Sequence, residues 1–192
     1  DANMYFLAGE LTKRGINLCE VRVVSDETAA IVSAVQALSA SYDHVFTSGG
    51  IGPTHDDITA DSIAAAFEVQ IDIRDDARAL LAEHYTKSGR ELNAARLRMA
   101  RIPEDADLIE NPVSIAPGFS IRNVHVMAGV PDVFRAMVAS VLPNLTGGVP
   151  LLSQTLRVQR GGSDIAGPLA DLANDFPDLA IGSYPFQDNG VY

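Results

Sequence analysis

Apolar residues recur at helical spacing in two early segments of the chain. The first segment spans 3–15 and ends in basic residues and Gly15, and the second spans 27–42 and follows Asp26, which we expect to be its N-cap. The residues that share an apolar face are Met4, Leu7, Ala8 and Leu11 in the first segment, and Ile31, Val32, Val35 and Leu38 in the second. The pattern predicts two amphipathic helices.

Short strand patterns lie between and after these helices. Alternation in 17–24 predicts a strand that turns Cys19 to a buried face, where it acts as apolar filler. The apolar run at 44–48 predicts another strand, which leads directly into a glycine-rich stretch, and 58–67 predicts the helix after it. The glycine-rich stretch is therefore expected to join a strand to a helix.

Strands and helices continue to alternate downstream. The expected elements are helices over 75–89, 91–100 and 132–142, and strands over 106–111, 118–123 and 124–129. This order indicates an α/β fold with a mostly parallel sheet and helices on both of its faces. Sheets of this kind bind ligands beyond the carboxyl ends of their strands, and the glycine-rich loop occupies such an end.

A change of composition divides the chain. The stretch "PNLTGGVP" at 143–150 is typical of a linker. Beyond it, 153–160, 164–175 and 179–184 predict a strand, a helix and a strand. We therefore predict an α/β domain over 1–146 and a small α+β subdomain over 147–192.

Composition and charge narrow the classes of partner. Apolar residues make up 47% of the 192 residues and charged residues 20%, as in globular proteins. The net charge of −11, with no Lys/Arg stripe to offset it, argues against nucleic acid. No apolar run approaches the roughly 20 residues that span a bilayer, no signal-peptide pattern is visible, and the single cysteine cannot form an intrachain disulfide. We expect a cytoplasmic protein with no membrane partner.

The stretch "TSGGIGPTHDDITADS" at 47–62 carries the candidate chemistry. Its glycines let the backbone approach a ligand closely where a helix N-terminus presents free amides, which suits a phosphate. The acidic pair that follows suits Mg²⁺ or another divalent cation shared with phosphate oxygens. The candidate ligand-binding residues are Ser48, Gly49, Gly50, Gly52 and Thr54, and the candidate catalytic and metal-binding residues are Asp56 and Asp57.

The same residues also fit a structural interpretation. Gly-Pro makes a turn, Asp57 or Thr59 caps the next helix, and Asp61 adds favourable charge to its first turn. The stretch also lacks the features of the Walker A and dinucleotide-binding motifs. Arg98 and Arg101 are similarly ambiguous, because they suit a phosphate but equally a solvated helix end. From the residues alone, both interpretations stay open.

Several segments resemble the molybdopterin-binding-like family, in particular its CinA-type branch. The resemblance rests on the run GGIGPTxDDxT at 49–59, together with APGF at 116–119, GVP at 129–131 and GSYP at 182–185, and it covers nearly the whole chain. It implies a three-layer α/β/α sandwich followed by a small α+β subdomain. It also implies that the loop residues named above bind a pterin or a nucleotide.

The resemblance implies two possible functions. CinA-type proteins, and the similar domain of eukaryotic FAD synthases, are associated with metal-dependent hydrolysis of dinucleotide pyrophosphates such as ADP-ribose or FAD, so a hydrolase is our leading hypothesis. The alternative is a non-catalytic protein that binds molybdopterin or a nucleotide and is linked to molybdenum cofactor biosynthesis. The resemblance further implies a homo-oligomer, and it places a first strand and a Gly-Asp-Glu segment before Asp1.

Four further positions have two interpretations each. Asn3 and Asp26 resemble residues near the family's pocket, but both also suit helix N-caps, and we favour the cap for Asn3. Pro117 and Gly118 belong to a loop that the family places beside the pocket, whereas their own pattern predicts only a turn. We therefore keep all four as candidate ligand-binding residues.

Overall fold

The computed structural model of the chain describes residues 2–150, 152–186 and 190–191. The chain divides into two compact units, Asp1–Pro150 and Leu151–Tyr192. The helices of the first unit are α1 (Ala2–Thr12), α2 (Thr28–Ser41), α3 (Thr59–Phe67), α4 (Asp75–Lys87), α5 (Ala94–Leu97) and α6 (Pro131–Val141). Its strands are β1 (Val45–Ser48), β2 (Ile71–Ile73), β3 (Arg101–Pro103), β4 (Asp107–Ile109), β5 (Gly118–Ile121) and β6 (Val124–Met127).

Four strands form the central sheet of this unit, in the order β1-β6-β5-β4. The β1–β6 pair is parallel, with Val45 opposite Val124 and Ser48 opposite Met127, and the β6–β5 and β5–β4 pairs are antiparallel. The β5–β6 hairpin turns at Arg122 and Asn123. Strands β2 and β3 pair separately as an antiparallel ribbon.

Two apolar clusters cover the two faces of the sheet. One packs α2, α3 and α4 against it through residues that include Val35, Ile63, Leu81 and Phe119. The other packs α1 and α6 through residues that include Leu7, Leu11, Phe134, Met137 and Met127. Helices on both faces of one sheet make an α/β sandwich, so the predicted sandwich is confirmed. The sheet was expected to be mostly parallel, whereas two of the three strand pairs described in it are antiparallel, because β4, β5 and β6 follow one another through short connections.

The prediction of a strand over 17–24 is wrong. The segment runs without regular secondary structure, and none of the described residues pairs with it. A strand is stabilised by ladder hydrogen bonds to a neighbour, so alternation alone does not create one. Cys19 is exposed for the same reason and is not the buried filler that we expected. The segment lines a cleft of about 1180 Å³ that also reaches the β1 residues from Val45 to Ser48.

The second unit contains one helix and one small ladder among its described residues. Helix α7 (Gly162–Asp175) includes the segment predicted as helical, and β7 (Pro185–Phe186) pairs antiparallel with β8 (Gly190–Val191). The strands predicted over 153–160 and 179–184 do not form, apart from a single bridge residue, Val158. No helix in the described ranges of either unit is long and apolar enough to cross a membrane.

Candidate functional site

The candidate site lies at the carboxyl ends of the parallel strands β1 and β6. Ser48 and Met127 are register partners at the ends of these strands, so the segments that follow them leave the sheet side by side. The segment after β1, 48–57, contains the glycines and the acidic pair and is called the glycine loop below. The segment after β6 reaches α6 through Gly129. This edge of an α/β sheet is where ligands of such folds bind.

Asn3 joins the two loops. Its side chain is 5% exposed, and its Nδ2 donates to Ser48 Oγ at 2.9 Å and to the Gly129 carbonyl oxygen at 2.8 Å. Asn3 is the second residue of α1 rather than the residue before it, so the favoured interpretation as an N-cap is wrong. The structure instead places it beside the glycine loop, because α1 packs against α6 on one face of the sheet.

Glycine is required at one position of this site and fits tightly at a second. Gly50 has a φ of +72°, and a Cβ there would lie 2.0 Å from Thr59 Oγ1. A Cβ on Gly129 would lie 3.1 Å from Gly49 Cα in the neighbouring loop. Among the described residues, the Gly50 and Ile51 amides donate no hydrogen bond to the backbone. The loop therefore leaves two amide donors unpaired at a place where a ligand can approach the backbone.

Asp57 holds the glycine loop in one conformation. Its Oδ2 accepts hydrogen bonds from the Thr54 amide at 2.8 Å and the Thr54 hydroxyl at 2.6 Å. A Cβ on Gly52 would lie 2.6 Å from the same oxygen, so the carboxylate covers this glycine. Partial burial raises the pKa of Asp57, but hydrogen bonds from Thr54 and from the Gly52 and Thr54 amides outweigh it and hold the pKa below its usual value. The carboxylate is charged at neutral pH.

The helix after the loop starts without the predicted caps. Helix α3 begins at Thr59, and Ile58 precedes it with no side-chain capping bond, so neither Asp57 nor Thr59 is the cap. Asp61 lies in the first turn, as expected, but its carboxylate pairs with the Arg101 guanidinium at 2.5 and 2.8 Å. This ion pair connects α3 to β3 beside the glycine loop.

The donor set next to the loop limits the kind of metal site that can form. Asp56 is exposed and its carboxylate lies 3.9 Å from His55 Nδ1. Within the described ranges, no group of three or more His, Cys, Asp or Glu side chains is placed to hold a metal ion. Asp56 and Asp57 alone fit Mg²⁺ in its usual mode, in which one or two carboxylates and substrate phosphates share a largely hydrated ion. A closed cage of protein ligands is not present there.

The structure gathers some of the remaining candidates and separates others. Pro117 lines a small cavity with Gly52 and Asp57, so it lies beside the loop. Gly118 instead lies in β5, where a Cβ would meet the Val126 carbonyl oxygen at 2.4 Å, so its role is sheet packing. Asp26 lines the large cleft together with Ser48, Gly49 and Gly50. It is not the α2 cap, because Glu27 occupies the position before Thr28.

Sequence reasoning missed two residues of the site and left a third ambiguous. Gly129 follows an apolar strand just as Gly49 does, and this strand-then-glycine pattern was the available signal. Thr59 contacts Gly50 across the loop, and Arg98 lines the small cavity with Asp57. No local pattern reveals these contacts, since they join residues far apart in the chain or across a turn.

Two families match the chain. The family described as "Probable molybdopterin binding domain" matches residues 1–147, and the family described as "FAD synthase, middle domain" matches residues 150–192. Among solved structures, the crystal structure of the protein CinA from Thermoplasma acidophilum, a protein of unknown function, is similar with a TM-score of 0.65 and 33% identity. That likeness covers 74% of this chain and 85% of the other.

The curated relatives include FAD synthases and CinA-like proteins. The chain is 32% identical to a "Probable FAD synthase" of Caenorhabditis elegans, covering 100% of this chain and 42% of the relative. It is 30% identical to a "CinA-like protein" of Desulforapulum autotrophicum, covering 95% of this chain and 47% of the relative. A relative from Archaeoglobus fulgidus, also 30% identical, is matched over 78% of its length. The chain thus spans less than half of the FAD synthase and of the CinA-like protein.

Proposed function

The chain belongs to the molybdopterin-binding-domain family, in its CinA-type branch, and we propose that it is a divalent-metal-dependent hydrolase of dinucleotide pyrophosphates. In this proposal the ligand binds across the glycine loop and the segment that contains Gly129. The ligand-binding residues are Ser48, Gly49, Gly50, Gly52 and Thr54, with Asn3 holding the two loops together, Asp26 and Pro117 at the edges, and Asp56 and Asp57 as the acidic pair.

One observation carries the proposal: backbone amides and a fixed carboxylate lie in the same loop. The Gly50 and Ile51 amides are available to phosphate oxygens, and Asp57 is held next to them by Thr54. An anion placed beside two carboxylates without a cation would be repelled. A divalent ion held by Asp57 and Asp56 would supply the missing positive charge and polarise the phosphate. This combination favours turnover over simple binding.

The reaction is a hydrolysis that consumes only the pyrophosphate and one water molecule. The oxygen of water forms a bond to one phosphorus, and the bond from that phosphorus to the bridging oxygen breaks. The bridging oxygen leaves with the electron pair as part of a second monophosphate, and the two protons of the water pass to the product phosphates or to solvent. The Gly50 and Ile51 amides are suited to bind the phosphate oxygens on which negative charge accumulates, because amides fixed in advance cost no reorganisation during the reaction.

The match of the second unit favours a FAD-type substrate, whereas an ADP-ribose-type substrate rests on the resemblance to CinA-type proteins. Residues 150–192 match the middle domain of FAD synthase, and the C. elegans relative carries that name. Both FAD and ADP-ribose join two nucleoside or sugar parts through one pyrophosphate, which is the group that the loop is suited to bind. We also propose a homo-oligomer, which light scattering of the purified chain tests.

A second candidate is a non-catalytic binder of molybdopterin or a nucleotide. It is favoured by the donor set, because no group of three metal-ligating side chains lies within the described residues. The two candidates are separated by incubating the protein with ADP-ribose, FAD and NADH, each with Mg²⁺, with Co²⁺ or with EDTA, and separating the products. The hydrolase proposal expects monophosphates only with metal. Tight binding without any product would favour the second candidate.

A further inference from the structure

Arg98 has one buried guanidinium nitrogen for which the described residues provide no acceptor. It lies on the 3-10 turn Arg98–Ala100, whose Ala100 is fully buried in the core. The Nε atom of Arg98 is buried and has no hydrogen-bond partner. Within the described part of the chain, no carboxylate forms an ion pair with this side chain. Arg98 as a whole is only half-buried, but its buried Nε donor is costly, since it has lost water and gained no partner.

Two other arginines of the first unit have carboxylate partners. Arg101, three residues further along, forms two hydrogen bonds with Asp61. Arg74 binds the Asp76 carboxylate at 2.7 Å and 2.8 Å. Arg98 therefore differs from its neighbours on the same side of the fold, and its missing acceptor is a property of this position.

The position is next to the candidate site. Arg98 lines the small cavity whose other walls include Gly52 and Asp57 of the glycine loop, as well as Pro117. Both carboxylates of this cavity are already engaged, Asp57 by Thr54 and Asp61 by Arg101. The two carboxylates and two guanidiniums cancel in charge. The cavity, of about 10 Å³, is too small to enclose a phosphate. An anionic group of a ligand that lies over its opening can instead contact Arg98 without displacing an existing ion pair.

We propose that Arg98 binds the second phosphate of the pyrophosphate, while the glycine-loop amides bind the first. This inference rests on the proposed function and deepens it, because it assigns the feature that distinguishes a diphosphate from a monophosphate. Guanidinium presents paired donors that match two phosphate oxygens, so one arginine recognises the group geometrically as well as by charge. Arg98 is then a specificity-determining residue, and Arg101 is a positioning residue that keeps α3 and β3 together around it.

The test compares two ligands and three variants by calorimetric titration. ADP-ribose carries the pyrophosphate and AMP carries one phosphate. Arg98→Met keeps an unbranched side chain but removes the charge, and Arg98→Lys keeps the charge but removes the paired donors. The exposed Arg78 of α4 provides the matched control, Arg78→Met. All titrations are run with Mg²⁺, at a temperature where turnover during the measurement is negligible.

We expect Arg98→Met to weaken ADP-ribose binding by about 10- to 100-fold, as for loss of a charge-assisted hydrogen bond. AMP binding should change by less than about threefold, because its phosphate occupies the loop amides. Arg98→Lys should fall between wild type and Arg98→Met, and Arg78→Met should match wild type. If Arg98→Met does not fold, the Arg98→Lys comparison decides in the same way.

The outcomes separate this inference from the proposed function. If wild type binds ADP-ribose and AMP but Arg98→Met weakens neither, or weakens both equally, the inference about Arg98 is wrong and the glycine-loop site stands. If wild type binds neither ligand, the proposed function itself is wrong. A selective loss of ADP-ribose affinity in Arg98→Met supports both.

Discussion

One carboxylate oxygen of Asp57 accepts two hydrogen bonds from a single residue, Thr54. The distances are 2.8 Å to the amide nitrogen and 2.6 Å to the hydroxyl oxygen. Two bonds to one oxygen fix the direction of the carboxylate before any ligand arrives. A group that binds a metal or a phosphate needs this kind of support, because its rate contribution depends on its position.

The first prediction concerns this contact and the stability of the fold. Thr54→Val removes the hydroxyl donor but keeps the amide bond, so we expect a loss of about 1 kcal/mol in the free energy of unfolding. Asp57→Asn retains an oxygen that can accept from the amide and should fold normally. Urea unfolding measures both. Thr86→Val, at an exposed position of α4, is the control and should match wild type. A Thr54→Val variant as stable as this control would contradict the prediction.

The second prediction concerns steric contact at Gly50. Gly50 and Gly89 both have φ in the left-handed region, at +72° and +65°. A Cβ would lie 2.0 Å from Thr59 Oγ1 at Gly50, whereas nothing lies within 4 Å at Gly89. Gly89→Ala should therefore cost about 1–2 kcal/mol of stability from backbone strain alone. Gly50→Ala should cost clearly more and should also abolish AMP binding. Equal costs for the two variants in thermal unfolding would show that the contact with Thr59 relaxes freely.

The third prediction concerns Asn3 as the tie between two loops. Asn3→Ala removes donors to Ser48 and to the Gly129 carbonyl in a buried place, so it should cost about 1–3 kcal/mol. Ser48→Ala removes only the first of these contacts and should cost less. Ligand affinity should fall further in Asn3→Ala than in Ser48→Ala, because only the first variant releases both loops. Denaturant titration with a parallel binding assay checks this order, and the reverse order would contradict it.

The fourth prediction concerns pH and His125. This side chain is 7% exposed on β6, with Nδ1 2.9 Å from Ser120 Oγ and Nε2 3.3 Å from His44 Nδ1. Burial, with a smaller contribution from the charge of His44, lowers the pKa of His125 from 6.5 to about 4. The unfolded chain therefore takes up a proton below pH 6.5 that the folded chain takes up only near pH 4. The free energy of unfolding should therefore fall by about 3 kcal/mol as the pH is lowered from 6.5 to about 4.

The variant His125→Phe tests this assignment. It keeps an aromatic ring beside Phe46, whose ring centroid lies 5.0 Å from that of His125, and removes the titrating group. The fall in unfolding free energy between pH 7 and pH 4.5 should become smaller by most of that amount. His55→Gln is the control, because the His55 side chain is fully exposed. If both variants keep the wild-type pH profile, His125 is not the responsible group.

The sequence was sufficient for the elements whose signal is local. Helices α2 and α6, the β5–β6 hairpin and the loop after β1 follow from apolar spacing and from glycine placement. The segment 17–24 has a strand's alternation, yet it forms no ladder among the described residues. A strand depends on a partner that its own residues do not specify, so alternation was an incomplete guide there.

Site geometry was harder to predict than the elements. The glycine loop was identified because its residues are adjacent in sequence. The local pattern at Asn3 favours a helix cap. It does not reveal the site, because the contacts of Asn3 lie 45 and 126 residues away in the chain. The same holds for Arg98, which meets the loop only through the packing of the turn after α5. Local patterns indicated what the loop is suited to bind, whereas long-range packing determines which side chains surround it.

The central claim is metal-assisted hydrolysis at the glycine loop, and one measurement tests it most directly. It is kcat/KM for ADP-ribose with Mg²⁺, compared among wild type, Asp57→Asn and Thr54→Val. Asp57→Asn removes the charge that holds the cation, so we predict a loss of roughly a thousandfold, equivalent to several kcal/mol. Thr54→Val keeps that charge and should lose less than about tenfold. Hydrolysis by Asp57→Asn at a near wild-type rate, or no metal-dependent hydrolysis by wild type, would contradict the account.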